Sequence, residues 1–279
     1  MTVPNEKGRE HHMDTTRLEG KHVLITGAAQ GMGAAVGKHY AAQGAKVCLG
    51  DINVDGVAQV AQEIRDAGGV ATHIKLDVTN EDDAEAAVAH TVAEFGDINV
   101  LLNNAGVNKP KWFLEITKDN YDFIMGVNAW GKVNVMQKVA AQMKRQGPKE
   151  YPYKIINVGS ILSRDTFDDV IVYGMSQHAV LGLIKGGAKG LWEHNITVNG
   201  YAPGVVRTEM WEQLDRDLVE MGKFNEHGES MDDIAENLIL MKRYSYPEDI
   251  VGTASFLASP ESDYMTGQLI QIDGGMVIH

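Results

Sequence analysis

The stretch His22-Val23-Leu24-Ile25-Thr26-Gly27-Ala28-Ala29-Gln30-Gly31-Met32-Gly33 reads as a strand, a glycine-rich turn and the start of a helix. Its continuous apolar run suits a strand covered on both faces. Glycines let a backbone turn sharply and come close to a pyrophosphate, whose charge the free N–H groups of a helix start attract. Such a turn by itself often marks only a tight bend. Its place after an apolar strand and before a helix makes it a candidate phosphate-binding loop. The spacing departs from G-x-G-x-x-G, with three residues between the first two glycines.

Outward from this stretch, short β-branched runs alternate with longer helical ones over the first 200 residues. That alternation is the mark of an α/β, doubly wound, Rossmann-like fold with helices on both faces of a parallel sheet. The first helix is expected over 31–43, with Gly44 placed to stop it. Further strands are expected at 46–50, 72–76, 99–103, 154–158, 196–201 and 269–272, which makes a seven-stranded sheet. Helices are expected at 54–67, 81–95, 117–145 and 173–193, and Pro247 opens one running to 258.

No repeat or linker interrupts the pattern, so residues 18–279 read as a single domain. Residues 1–17 read as a flexible polar tail without the apolar core of a secretory signal. His11-His12 lies there with no further ligand cluster, and no metal is expected. The segment 208–246 is long and charged, and is expected to act as a substrate lid.

The chain has 279 residues, 44% of them hydrophobic, enough for a large core. No apolar run is long enough for a membrane span. A formal charge of −13 disfavours nucleic acid and anionic membrane surfaces, which need a concentrated basic patch. The single Cys48, between Val47 and Leu49, reads as a buried strand thiol and fits a reducing cytoplasm.

Asp51 ends the second strand, 24 residues after Gly27. A carboxylate there can accept hydrogen bonds from ribose hydroxyls and repels a 2′-phosphate. No Arg or Lys stands within residues 28–32 or just after Asp51. The expected cofactor is therefore NAD(H) rather than NADP(H). The competing reading is a solvated Asp that caps the helix beginning at Val54.

Together with Asp77-Val78, Asn103-Asn104-Ala105-Gly106, Asn128, Ser160, Tyr173 and Pro203-Gly204-Val205-Val206-Arg207-Thr208, this turn resembles the short-chain dehydrogenase/reductase family. The resemblance spans residues 18–279. The phrases at 196–201, 208–213, 262–268 and 272–276 look like acetoin reductases, butanediol dehydrogenases and polyol dehydrogenases. The resemblance implies a cofactor site at Gly27, Gln30, Gly31, Met32, Gly33, Asp51, Ile52, Asp77, Val78, Asn104, Ala105, Gly106, Val127, Tyr173, Gln177, Pro203, Gly204, Val206 and Thr208. It implies a homotetramer as well, through the helices at 117–145 and 173–193 and the C-terminal strand.

The chemistry implied is hydride transfer between a secondary alcohol (diol or polyol) and a ketone. Tyr173 would be the acid/base, Ser160 would steady the substrate oxygen, and Asn128 would hold a water-mediated proton path at a break in its helix. Taken singly, Ser160 at a strand end and Tyr173 near a helix start are as readily structural. Their 13-residue separation downstream of the turn favours catalysis. Gln177 stands where the family places an active-site lysine. Four residues on from Tyr173 it shares a helix face, and its amide can hydrogen-bond but carries no charge. A unit charge ~4–5 Å away at an effective dielectric near ~20 is worth about 3–4 kcal/mol before solvent and geometry reduce it. Neither His178, about 100° around the helix, nor Lys185, two turns on, replaces it. The expectation is an enzyme of weakened or altered activity. The alternative is a non-catalytic NAD-binding scaffold or redox-responsive protein.

The substrate pocket is expected beside Ser160, Leu162, Tyr173, Met210 and Trp211. The residues between Ser160 and Tyr173, among them Ile161, Arg164, Asp165 and Asp168, are expected around it with the 109–113 loop, Trp112 included, and the 208–246 segment, suiting a small or medium hydroxy compound.

Overall fold

The protein's structure is a computed structural model that describes residues 17–278. The expected tail and its histidine pair lie outside the described residues, Arg17 excepted. Strand β1 (His22–Thr26) leads through the glycine turn into α1 (Gly31–Ala42), β2 (Lys46–Asp51), α2 (Val54–Asp66), β3 (Val70–Lys75), α3 (Glu81–Phe95) and β4 (Val100–Asn103). Then come α4 (Lys118–Met125), α5 (Lys132–Gln146), β5 (Tyr153–Val158), α6 (Ile171–Leu191) and β6 (Ile196–Pro203). The chain continues through α7 (Glu209–Glu220), α8 (Glu229–Asn237), α9 (Pro247–Ala258) and β7 (Leu269–Ile272).

The seven strands form one parallel sheet in the order β3-β2-β1-β4-β5-β6-β7. Val23 of β1 sits beside Val47 of β2 and Val100 of β4, which is why the first strand is apolar on both faces. One core packs α1, α2 and α9 against the sheet through Val36, Val57 and Ile250. The opposite core packs α3 and α5 through Val88, Val135 and Val139. Strand order reverses between β1 and β4, and ligands of open α/β sheets bind at the carboxyl ends beside such a switch.

Several bounds differ from the sequence expectation, β3 and α6 each beginning two residues early, at Val70 and Ile171. The helix expected over 117–145, with the break at Asn128 that the family resemblance implies, is interrupted by a π turn at Gly126–Gly131. A Cβ on Gly131 would lie 2.5 Å from Val78 Cγ2, so the chain there passes close against the loop after β3. The wider turn is local and leaves the apolar spacing on either side intact, so periodicity did not reveal it. Strand β6 also runs two residues beyond expectation, since Ala202 and Pro203 pair with Gln271 and Ile272 of β7. In the expected lid, α7 and α8 turn Leu214, Leu218, Met231 and Ala235 inward. Asp215 joins the two helices by accepting from Gly228 N at 2.7 Å and from the Ser230 hydroxyl.

Candidate active site

The glycine turn and the segment after β4 meet at the switch point. Thr26 Oγ1 accepts from Asn104 N at 2.9 Å and Ala105 N at 3.0 Å. Asn104 Nδ2 returns bonds to the carbonyls of Thr26 and Gly27, at 3.1 and 2.9 Å. This close approach leaves no room for side chains. A Cβ on Gly27 would lie 2.8 Å from Ala105 Cα, and one on Gly33 would lie 2.1 Å from the Gly27 carbonyl oxygen. Gln30 caps α1 without a side-chain hydrogen bond, and the first turn of α1 holds no acidic residue. Its leading N–H groups are thus left for an anion.

Asp51 at the end of β2 accepts from Ala29 N at 3.1 Å and Asn53 N at 3.0 Å, which ties it to the turn. The cap of α2 is Asn53, whose side chain accepts from Gly56 N at 3.0 Å. The capping reading of Asp51 therefore gives way, while Ile52 beside it is exposed. Asp77 accepts from both the amide and the hydroxyl of Thr79. The buried Val78 carbonyl accepts from Asn134 Nδ2 at 2.9 Å.

On the other side of the switch point, the π turn aims Asn128 inward. Its Oδ1 accepts from Val107 N at 2.8 Å, and its Nδ2 donates to the Val107 carbonyl at 2.8 Å and to Ser176 Oγ at 3.0 Å. Asn128 therefore clamps the irregular segment after Gly106 to α6, with Val127 partly buried beside it. Ser176 lies between Tyr173, whose carbonyl its hydroxyl donates to at 2.7 Å, and Gln177. Burial holds the Tyr173 phenol above its usual range, and a hydrogen bond with the Ser160 hydroxyl pulls the other way. Ser160 also accepts from Leu162 N at 3.2 Å.

Gln177 is 3% exposed and its Oε1 has no hydrogen-bond partner. His178 lies against the Gly174 carbonyl at 2.9 Å, and Lys185 is exposed. A cation that the sequence reading missed lies one turn beyond Asn128. Lys132 is 2% exposed, its Nζ donates to the Asn103 carbonyl at 2.7 Å, and burial lowers its pKa to about 7. Nothing in the sequence distinguishes it from a solvated helix lysine.

A cavity of about 230 Å³ gathers many of the expected residues, Ile161 among them. Ser160, Leu162, Tyr173, Met210 and Trp211 line it, along with Met32 of the turn and Pro203, Gly204, Val206 and Thr208 after β6. Asn128 and Gln177 are not on its wall. The 109–113 loop, Trp112, Arg164, Asp165 and Asp168 were expected around it and do not line it. Trp112 faces a separate surface depression with Lys109 and Asp217, and Lys223 Nζ lies 5.9 Å from its ring centre. Arg164 turns away to Gln271 Oε1 and the Leu269 carbonyl. The wall also takes Phe167 and Asp169 from the expected stretch between Ser160 and Tyr173, Lys223 and Phe224 from the expected 208–246 segment, and Asn108, which the sequence did not single out. Among the described residues, no group of three or more His, Cys, Asp or Glu is placed to hold a metal ion. No described helix is long and apolar enough to cross a membrane.

The family profile described as Enoyl-(Acyl carrier protein) reductase matches residues 27–277. The diacetyl reductase [(S)-acetoin forming] of Staphylococcus epidermidis is 35% identical over 257 residues, covering 92% of this chain and 98% of that protein. A short-chain type dehydrogenase/reductase from Mycobacterium marinum superposes with a TM-score of 0.86 at 32% identity, over 96% of this chain and 99% of the other. The 3-ketoacyl-(acyl-carrier-protein) reductase from Brucella melitensis, solved in complex with NADH, superposes with a TM-score of 0.82 at 31% identity, over 94% and 100% of the two chains. The chain belongs to the short-chain dehydrogenase/reductase family, a family of oxidoreductases that act on alcohols and ketones with a nicotinamide cofactor.

Proposed function

We propose that the protein is an NAD(H)-dependent oxidoreductase that interconverts a secondary alcohol and its ketone, with Tyr173 as acid/base. The observation that carries this reading is the single cavity bounded by Ser160 and Tyr173 on one side and by Met32, Pro203, Gly204 and Thr208 on the other. A substrate oxygen there would reach both hydroxyls while its carbon faces the glycine turn. The uncapped start of α1, the side-chain-free approach of Gly27 and Gly33, and the unpartnered Gln177 Oε1 fit a dinucleotide. Gln30, Gly31, Asn104, Ala105, Gly106, Asp77, Val78, Val127 and Val206 would surround it. Asp51, which makes no ion pair among the described residues, favours NAD over its 2′-phosphorylated form.

When bound, the nicotinamide supplies or accepts the hydride. Tyr173 takes the hydroxyl proton in oxidation and returns it in reduction, and Ser160 donates to the same oxygen. Gln177 can accept from a ribose hydroxyl but brings no charge to the phenol, so turnover at neutral pH is low. The side chain of Asn128 is committed to Val107 and Ser176. A proton path through it would therefore use the main chain of the π turn.

The protein would work in the cytoplasm as one domain, with 208–246 as its lid, and as a homotetramer. Exposed Phe123, Trp130 and Met175, beside the open faces of Gly182, Gly186 and Gly190, would supply the contact. The test is NADH formation over a panel of secondary alcohols from about pH 7 to 10, repeated with NADP⁺. Turnover with NAD⁺ that grows with pH supports the reading. NADH binding without turnover at any pH would favour the scaffold alternative.

A further inference from the structure

The cavity over Ser160 and Tyr173 is walled by hydrocarbon. Leu162, Val170, Leu214 and Leu218 belong to one buried cluster, with Trp211 and Phe224 packed against it. The polar side chains on the wall are mostly spent on one another or on the backbone. Asp169, 5% exposed, accepts from Lys223 Nζ at 2.8 Å. Thr208 Oγ1 lies 3.4 Å from the Val206 carbonyl, and Asp233 accepts from Asn237 Nδ2 at 2.7 Å. Apart from Ser160 and Tyr173, two side chains on this wall offer an unused group: the buried Oδ1 of Asn108 meets no donor, and the buried Nε1 of Trp211 meets no acceptor.

A polyol carries a hydroxyl on nearly every carbon. Each one buried against these walls gives up water and gains no partner, which costs on the order of tenfold in kcat/KM. A hydrocarbon body loses nothing there and gains from leaving water.

We propose that the substrate is a secondary alcohol, or the matching ketone, with an apolar cyclic or branched carbon body and at most two further polar groups, a hydroxyl that donates to Asn108 Oδ1 and an oxygen that accepts from Trp211 Nε1. This inference rests on the oxidoreductase reading above and leaves its chemistry unchanged: the alcohol loses a hydride to the oxidised nicotinamide and a proton to Tyr173. It departs from the diol or polyol that likeness to polyol dehydrogenases suggests. Those shared phrases lie in β6, in the start of α7 and around β7, whereas much of the wall comes from the interior of α7, the Phe167–Val170 stretch and Phe224.

The experiment compares kcat/KM for cyclohexanol, menthol, a vicinal cyclohexanediol, sorbitol and galactitol, with the full chain and saturating NAD⁺. In parallel, the thermal shift given by each matching ketone is measured on the NADH-loaded protein. The expected result is a preference for the apolar compounds over sorbitol and galactitol on the order of a hundredfold or more. Asn108→Leu should lower kcat/KM for the diol about tenfold more than for menthol. Polyols turned over as well as menthol would overturn the inference while leaving the oxidoreductase reading in place. Apolar ketones that stabilise the protein, with no alcohol oxidised, would sink the catalytic reading and uphold the pocket's preference. Neither binding nor turnover of the apolar compounds would overturn both.

Discussion

Gln177 stands one helical turn beyond Tyr173 on the same face of α6, buried, with its Oε1 free of any donor. The phenol, already pushed above its usual range by burial, therefore has a neutral amide on this face of the helix. Its ionised form is scarce at neutral pH, and a cation at this position would reverse that.

Gln177→Lys should raise alcohol oxidation at pH 7 by about ten- to a hundredfold, the effect of roughly one to two pKa units on phenolate availability. The alkaline limb of the pH–rate profile should move toward neutrality by the same amount, with little change in NADH affinity. Steady-state kinetics across pH decides it. An unaltered rate and profile would remove charge at this position from the account.

Tyr173→Phe should lower turnover by about 10²- to 10⁴-fold, the usual worth of a placed acid/base, and leave NADH binding intact. In the unmodified protein, the rate of oxidation should climb with pH from about 7 to 10, because the raised phenol pKa lies above that window. A flat profile over this range would point to a different base.

Lys132 makes a stability prediction that is independent of catalysis. Its folded-state pKa of about 7 lies below the ~10.4 of an unfolded lysine. Between those values the unfolded chain holds the extra proton, so this group makes stability rise with pH across the window and adds no slope below it. Against Lys132→Met, the unmodified protein should therefore gain at most ~1.4 kcal/mol per pH unit above about pH 7. Urea unfolding of both proteins at pH 6 to 9 measures the difference. Parallel curves would show that Lys132 keeps its charge.

Thr26→Val should remove the acceptor shared by Asn104 N and Ala105 N. Each orphaned buried donor costs about 1–3 kcal/mol, so the variant should unfold at lower urea and bind NADH more weakly. Thr26→Ser keeps the oxygen and should restore most of both. Equal loss in the two variants would assign the effect to the methyl group instead.

Asp51→Ser should narrow the preference for NAD⁺ over NADP⁺ by about tenfold or more, since it removes the carboxylate that repels a 2′-phosphate. Comparison of kcat/KM for the two cofactors checks this. An unchanged ratio would leave Asp51 only its bonds to Ala29 and Asn53.

Much of this architecture could be read from the chain because each strand of a buried parallel sheet is an uninterrupted apolar run between turn signals. His22–Thr26 and Val100–Asn103 fall within the expected bounds for that reason. The break at Gly126–Gly131 was legible only through the family resemblance at Asn128, because a π turn changes one hydrogen-bonding step and leaves the flanking periodicity untouched. The residues over the phenol were half legible. Ser160, Leu162, Met210 and Trp211 stand near the motif in sequence, whereas Asp169 meets Lys223 across 54 residues and only the fold brings them together. Trp112 was misplaced on the strength of its ring. In the structure that ring lies under the Lys223 ammonium at another surface.

The central claim is that the turn at Thr26–Gly33 holds a dinucleotide with Tyr173 facing its reactive ring. Calorimetric titration of the folded chain with NADH tests this most directly, with Gly33→Val as the paired control. The account predicts saturable binding of about one NADH per chain in the unmodified protein and its loss in the variant, whose side chain would strike the Gly27 carbonyl. No heat of binding at millimolar NADH, from a protein shown to be folded, would contradict it.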